Sequence, residues 1–212
     1  MKSRISVFIT LFAANYVFLN ASCNLQGNDG WKLSKVLGFS WANCGKSGDP
    51  AVMKTLNLSP DPIPIPGQIT ADASGTTSVE LTSPLSVNVT LERKVAGVWV
   101  KIPCIDELGS CHYPNVCDLL NQLIPPGQDC PEPLDTYGLP CHCPFKAGDY
   151  SLPSSEIYIP EVELPGWLTN GNYKVQGILG SSENELGCLQ VSFSLHSSHE
   201  EHNETERKEI IS

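Results

Sequence analysis

The chain has 212 residues, a formal net charge of −10 and only 17% charged residues. This length fits one domain with terminal segments and is too short for a typical multidomain enzyme. The hydrophobic fraction of 41% supports a folded core and argues against a disordered chain. The acidic balance argues against a nucleic-acid partner, because binding phosphates requires a surplus of lysine and arginine.

The first residues have the features of a secretory signal peptide. Lys2 and Arg4 precede a mostly apolar stretch at 5–19, and the small residue Ala21 follows. The stretch is shorter than the about 20 apolar residues that span a bilayer, and no later stretch approaches that length. We therefore predict a signal peptide at residues 1–22 and a soluble mature chain.

The cysteine count is typical of a secreted, disulfide-stabilised domain. Of the nine cysteines, Cys23 lies in the predicted cleavage zone, and discounting it leaves eight. An even number in a secreted chain predicts four disulfides, although spacing alone leaves their pairing open. A zinc site at 130–143 is the alternative, but this segment lacks the paired C-x2-C spacing of zinc modules. We expect no metal and no cofactor.

The domain itself is predicted to begin near residue 39. Residues 23–38 show no sustained period, and we assign them to a leader or propeptide. Prolines alternate at 59–67, which predicts an edge strand or an extended linker because each proline removes a donor from a sheet ladder. Residues 85–92 alternate between apolar and polar side chains and form the clearest strand. The alternation resumes after position 97, which predicts a hairpin with an apolar tip.

One helix and two further strands complete the predicted domain. The helix has apolar residues at i, i+3, i+4 and i+7, which are Val116, Leu119, Leu120 and Leu123. Cys117 lies beside this stripe, so a disulfide could fix the helix to the proline-rich loop at 125–144. Strands are predicted at 173–179 and 189–195. The result is a mainly antiparallel β domain at 39–196, followed by a disordered polar tail at 197–212.

No catalytic motif stands out in the sequence. It contains no G-x-S-x-G, H-E-x-x-H or glycine-rich phosphate loop, and oxidised cysteines are unavailable as nucleophiles. Asp106 and Glu107 are adjacent, and adjacent side chains usually point apart, which favours a solvated turn over an acid/base pair. We therefore predict that the chain is not an enzyme, and a hydrolase with an unrecognised site is the alternative.

Two apolar loop tips instead indicate contact with lipid or a membrane surface. Polar residues normally occupy such tips, and tryptophan prefers the membrane–water interface because its ring is apolar while its N–H needs a partner. The candidate residues are Val95, Val98 and Trp99 in the hairpin, and Val162, Leu164, Trp167 and Leu168 in the second tip. The alternative is that both tryptophans pack into the core.

Two N-glycosylation acceptors are predicted, at Asn88 and Asn203, where the sequence N-x-T occurs. Asn88 lies on the polar face of the predicted strand, as a bulky sugar requires. Asn57 also begins an acceptor sequence, but Pro60 follows it directly, and we set it aside.

Several cysteine-bearing blocks resemble the family of ganglioside GM2 activators. The blocks are FSWANC at 39–44, DPAV at 49–52, VAGVWVKIPC at 95–104, GSC at 109–111, CPEPL at 130–134 and TYGLPCHCPFK at 136–146. The resemblance runs in order from residue 39 to residue 195 and so covers nearly the whole predicted domain.

The resemblance implies a single-domain antiparallel β-cup around an apolar lipid cavity, without catalytic activity. The resemblance further implies that the chain extracts gangliosides from lysosomal membranes and presents them to β-hexosaminidase A. It also implies transfer of other glycolipids and phospholipids. Its implied location is the lysosome, reached through the secretory pathway. The alternative is a secreted lipid-binding or recognition protein without a hexosaminidase partner. The implied disulfides are Cys44–Cys188, Cys104–Cys111, Cys117–Cys143 and Cys130–Cys141.

The chain departs from the family pattern in two places. The family's glycosylation acceptor after Pro-Gly is replaced by Gln68, and the chain continues beyond the last predicted strand. Any sorting that depends on a sugar would therefore use another acceptor, such as Asn88.

Overall fold

The structure is a computed structural model, and it describes residues 38–161, 170–182 and 184–197. Within these ranges the chain forms ten strands and one short helix, which confirms the prediction of a mainly β fold. The elements are β1 (Ser40–Asn43), β2 (Ala51–Ser59), β3 (Ile63–Ile65), β4 (Gly67–Thr77), β5 (Ser86–Val95), β6 (Val98–Lys101), β7 (His112–Tyr113), α1 (Val116–Leu123), β8 (Gly148–Ile159), β9 (Gly171–Ser181) and β10 (Asn184–Ser197).

The strands form two sheets. The larger sheet has the order β1-β10-β9-β5-β6, with β3 added in parallel to β10 and β7 added to β5. The smaller sheet has the order β2-β4-β8 and is antiparallel throughout. Long antiparallel strands with one face turned inward suit a cup, because alternate side chains point to opposite faces of each strand.

The strand and hairpin predicted from the alternation after residue 85 are confirmed as β5 and β6. Val95 and Val98 are cross-strand partners on either side of a two-residue turn. Ala96 and Gly97 occupy that turn with φ angles of 49° and 86°. Two positive φ values give the turn a twist that matches the flanking strands, which is why tight hairpins favour this geometry.

Sequence periodicity did not predict the smaller sheet. In its central strand β4, polar residues alternate mainly with alanine and glycine, so the alternation that marks a half-buried strand is weak. The neighbouring strand β8 contains Pro153, at the point where the register with β4 shifts between Ala71 and Ala73. Proline is tolerated at such a bulge because no ladder hydrogen bond is lost there.

The predicted edge strand or linker at 59–67 includes a short strand. β2 ends at Ser59 and β4 begins at Gly67, with the three residues of β3 between them. β3 pairs with β10 alone among the described strands, in parallel, so it occupies an edge position. The prolines of this segment are compatible with an edge because one side of such a strand has no ladder to maintain.

Four disulfides connect the described residues, in the same pairs that the family resemblance implies. Cys44–Cys188 joins the end of β1 to β10 across 144 residues of sequence. Cys117 is the buried residue of α1, and its bond to Cys143 attaches the helix to the segment before β8. The remaining pairs, Cys104–Cys111 and Cys130–Cys141, close short loops.

Several sequence predictions concern residues outside the described ranges. These are the signal peptide at 1–22, the leader up to residue 37 and the tail from residue 198. Ser197, which we had assigned to the tail, is instead the last residue of β10, and its N–H donates to Asn170 Oδ1 at 2.6 Å. Among the described residues, no helix has the length and apolar character needed to cross a bilayer.

Candidate functional site

The described core contains few fully buried apolar side chains. Tyr173 is the only large side chain in it that is completely buried, and it packs against Phe193 with ring centroids 5.9 Å apart. Four of the nine buried apolar residues are half-cystines rather than aliphatic residues. Interiors of soluble domains are normally close-packed, so long strands with so few buried side chains indicate walls around a space.

That space is an apolar cavity of about 500 Å³ lined by both sheets and by the segment between α1 and β8. The smaller sheet contributes Val52, Met53 and Leu152 to the lining, while β9 and β10 contribute Leu179 and Leu189. None of the described lining residues carries a charged side chain. The cavity therefore suits hydrocarbon and disfavours a charged group, which would lose its hydration there.

The polar groups in the lining are bonded to the protein itself. Asn43 Nδ2 donates to the Met53 carbonyl at 2.8 Å, and Asn43 Oδ1 accepts from the Met53 N–H at 3.0 Å. Thr77 Oγ1 donates to the Val79 carbonyl at 2.7 Å, and the Tyr150 hydroxyl donates to the Lys146 carbonyl at 2.6 Å. Because these groups already have partners, they add little polarity to the cavity surface.

One wall of the cavity is not part of either sheet. Leu134, Leu139 and Phe145 reach the cavity from the segment between α1 and β8. Phe145 exchanges two backbone hydrogen bonds with Leu81, of 2.8 and 2.9 Å. The turns around Leu134 are closed by hydrogen bonds within the same segment, such as that from Leu139 N–H to the Leu134 carbonyl at 2.9 Å. The disulfide from Cys143 to Cys117 attaches this wall to α1, and the disulfide Cys130–Cys141 fixes the conformation of the wall itself.

The opposite face of the smaller sheet is polar. Cross-strand pairs cover it, including Asn57 Nδ2 donating to Asp72 Oδ1 and Gln68 Nε2 donating to Glu156 Oε2, each at 2.8 Å. The smaller sheet therefore has an apolar face toward the cavity and a polar face toward solvent, as expected for a sheet that forms the wall of an apolar cavity.

An ion pair between Lys54 and Asp149 crosses this outer face. The hydrogen bond from Lys54 lowers the pKa of the Asp149 carboxyl, and the Lys54 charge and a hydrogen bond with Thr76 lower it further. A carboxyl with a lowered pKa contributes stability above its ordinary pKa, and this contribution is lost only as the pH falls through the lowered value. The pair therefore persists in mildly acidic solution.

The hairpin tip carries an exposed apolar face. Val95 and Val98 are 50% and 64% exposed and point to the same side, because they are cross-strand partners. Val100 continues this face and is 48% exposed. The structure thus brings together two of the three hairpin residues predicted from the sequence and adds Val100, which the alternation in β6 could have identified.

Trp99 lies on the other side of the hairpin. It is half-buried, with Lys174 Nζ 4.5 Å and Lys94 Nζ 5.8 Å from its ring centroid. Successive residues of a strand point to opposite faces, so Trp99 does not share the face of Val98 and Val100. Both cations lie within about 6 Å of the ring centroid, where they are attracted to the face of the ring.

The remaining predicted site residues fall in three groups. Asn88 is exposed on the outer face of β5, where its Oδ1 lies 2.7 Å from His112 Nδ1, and its glycosylation stays a prediction. Asp106 and Glu107 form an exposed turn with φ angles of 48° and 64°. The other predicted residues lie outside the described ranges: Val162, Leu164, Trp167, Leu168 and Asn203.

The cavity lining itself was not identified from the sequence. Leu179 and Leu189 belong to predicted strands, but alternation marks an inward face without showing whether that face packs or borders a void. Leu134 and Leu139 lie in a proline-rich loop without a period, so no sequence signal marked them.

Comparisons with known proteins find one matching family and similar proteins in other organisms. The ML domain family matches residues 38–195. The ganglioside GM2 activator of Mus musculus is 56% identical over 164 residues, which cover 77% of this chain and 85% of that protein. The ganglioside GM2 activator of Macaca fascicularis is 56% identical over 163 residues, covering 77% and 86%. A solved Niemann-Pick type C2 protein from the Japanese carpenter ant covers 74% of this chain and 98% of its own, with 15% identity and a TM-score of 0.36.

The identity to two activators extends over most of their length as well as most of this chain. The matched region contains all ten strands described above, except for the last two residues of β10. The chain therefore belongs to the ganglioside GM2 activator family of ML-domain proteins.

Proposed function

We propose that this chain is a non-enzymatic carrier that lifts gangliosides from lysosomal membranes and presents them to β-hexosaminidase A. The observation that carries the proposal is the uncharged cavity of about 500 Å³ between the sheets. This volume lies within the range of about 300–1,000 Å³ that is typical of small-molecule sites. The name shared by the two relatives, ganglioside GM2 activator, supports a ganglioside as the cargo.

The energetics of extraction explain why such a cavity is needed. Exposing hydrocarbon to water costs about 0.8 kcal/mol per CH₂, so two long chains cost roughly 20 kcal/mol or more. Spontaneous escape from a bilayer is therefore negligible. An apolar host removes most of this cost because the chains exchange one hydrocarbon surrounding for another.

The chemistry of the lining also supports presentation of the headgroup. A charged or strongly polar headgroup would lose hydration inside the cavity without gaining a charged partner from the described lining residues. The sugar would therefore remain in water, where a soluble glycosidase can bind it. Other glycolipids and phospholipids share the apolar tails, and we propose that the cavity accepts them as well.

The hairpin tip supports the proposed contact with a membrane. Val95, Val98 and Val100 present an apolar face to solvent, while Lys94 and Lys174 lie beside Trp99 on the opposite side. Exposed apolar side chains gain free energy when they leave water for the apolar region of a bilayer. The segment 162–168, which the sequence analysis also predicts to touch lipid, is included in this proposal.

The proposed role is tested with purified protein, vesicles containing GM2 ganglioside and purified β-hexosaminidase A. We expect the protein to retain ganglioside stoichiometrically and to stimulate release of the terminal sugar. Retention without stimulation would favour a secreted lipid-binding protein without this enzyme partner. Turnover of the lipid by the protein alone would contradict a carrier role and favour a hydrolase.

The membrane contact is tested by replacing Val98 and Val100 together with serine. We expect vesicle binding to weaken about tenfold, since two half-exposed valines would no longer enter the apolar region of the bilayer. The melting temperature should change little, because both side chains are already exposed to solvent. The control is Val79→Ser, which makes the same type of change at a valine that is 40% exposed and lies outside the hairpin. Equal binding by the double variant and the control would show that the hairpin does not contact the membrane.

A further inference from the structure

Gly177 occupies a position where glycine is structurally unfavourable. It lies in the interior of β9 and pairs regularly on both sides, with Val89 of β5 and Leu189 of β10. Glycine weakens a strand interior because it has no side chain to pack and loses more backbone freedom on folding than other residues. A glycine that remains there needs a local reason.

The usual reasons for glycine are absent at this position. The backbone of Gly177 is not in the left-handed region, so a side chain would not be strained. A Cβ atom added there would have Val87 Cγ1 as its nearest neighbour, at 3.9 Å, which is an ordinary contact distance. The site therefore has the conformation that a side chain needs and room for its Cβ atom.

Two other glycines of the cavity lining differ in this respect. A Cβ at Gly75 would lie 3.1 Å from the Val52 carbonyl oxygen, and one at Gly187 would collide with the Ala51 carbonyl oxygen. Close approach of a neighbouring backbone explains glycine at both of these positions. It does not explain Gly177.

What Gly177 provides is open volume. It lines the cavity with its cross-strand partner Leu189, and Leu179, two positions along, lines it as well. We infer that Gly177 is a specificity-determining residue, which sets how much hydrocarbon the cavity holds and so the longest acyl chain that it accepts. This inference rests on the proposed lipid-carrier function.

The inference predicts two effects of opposite sign for larger residues at this position. Gly177→Val should reduce transfer of the longest-chain lipid about tenfold, because the added methyl groups occupy space that the lipid would otherwise fill. Transfer of the shortest-chain lipid should fall much less. The melting temperature of the lipid-free protein should rise by about 1–4 °C, since the unfolded chain loses freedom and the strand gains a favourable residue.

The experiment uses vesicles containing GM2 gangliosides that differ only in acyl-chain length. Transfer to acceptor vesicles is measured for the wild-type protein and for Gly177→Ala, Gly177→Val and Gly177→Leu. Gln176→Val is the matched control. It places the same side chain at the neighbouring position of β9, where side chains point to the opposite face of the sheet. We expect the accepted length to decrease in the order alanine, valine, leucine and to be unchanged in the control.

The possible outcomes separate this inference from the proposed function. If the wild-type protein transfers no GM2 ganglioside of any length, the carrier function fails and the inference fails with it. If the wild-type protein transfers lipid and Gly177→Val shows the same chain-length profile, only the inference is overturned. A lower melting temperature for Gly177→Ala would also overturn it, because the argument depends on free space for a Cβ atom.

Discussion

Replacing Cys44 and Cys188 together with serine is expected to lower the free energy of unfolding by about 5 kcal/mol. These two residues close a loop with a sequence separation of 144, and in the chain-entropy model the stabilisation by a disulfide increases with loop length. The bond also lies next to the pairing of β1 with β10, where the Cys44 N–H donates to the Cys188 carbonyl at 2.9 Å. Equilibrium denaturation of the variant and the wild-type protein measures the change.

The short disulfide Cys104–Cys111 is the internal control for this prediction. Its sequence separation is 7, and the same model gives a loss of about 2.5 kcal/mol when both cysteines are replaced with serine. The two variants remove the same number of sulfur atoms, so the comparison isolates the effect of loop length. Equal losses, or a larger loss for the short loop, would show that loop entropy does not determine the stabilisation here.

A carboxylate introduced into the cavity by Leu179→Glu is expected to reduce lipid transfer at neutral pH by about a hundredfold or more. Leu179 lines the cavity, and a bound hydrocarbon chain would have to displace the water around the introduced charge. Desolvating an unpaired carboxylate costs several kcal/mol, and each 1.4 kcal/mol lowers affinity tenfold. The lipid-free protein should fold, because the empty cavity can hold water around the new group.

The effect of this charge should depend on pH. Contact with lipid raises the pKa of a carboxyl by desolvation, so acidification converts the group to its neutral form and restores part of the transfer. Leu179→Gln removes the charge at nearly the same size, and Gln176→Glu places a carboxylate on the opposite face of β9. Vesicle transfer measured across pH should show the pH-dependent loss for Leu179→Glu alone. Full transfer by that variant at neutral pH would mean that lipid does not enter this cavity.

The larger sheet could be predicted where the sequence alternates clearly. Leu85 and Leu91 are buried at 2% and 8% exposure, as their positions on the apolar face of the predicted strand required. The short helix was equally clear, since its apolar residues repeat at helical spacing and Cys117 is buried beside them. Such patterns are local, and a single strand or helix is enough to reveal them.

The smaller sheet and the cavity could not be predicted in this way. In β4 the positions between the polar residues are mainly alanine and glycine, and β8 contains a proline at a bulge, so neither strand shows a strong alternation of large apolar and polar residues. A cavity is a property of the space between elements, and Leu189 has the same side chain whether it faces another residue or a void. Gly177 showed its role only once the distances around it were known.

The position of Trp99 illustrates contacts that join distant parts of the chain. The sequence shows an apolar hairpin tip, and the structure confirms an exposed apolar face formed by its valines. The lysine closest to the tryptophan ring is Lys174, which belongs to β9 and is far away in the sequence. Its approach follows from the register of β5 with β9, which pairs Glu92 with Lys174 and which periodicity does not determine.

The wall formed by Leu134, Leu139 and Phe145 ties the integrity of the cavity to the redox state of its surroundings. This segment is joined to α1 by the disulfide of Cys143 with Cys117 and is held in its own conformation by Cys130–Cys141, rather than by a ladder of paired strands. Glutathione and thioredoxin keep such thiols reduced in the cytosol. In the cytosol this segment would therefore lose its disulfide to α1, and water could enter the cavity from that side.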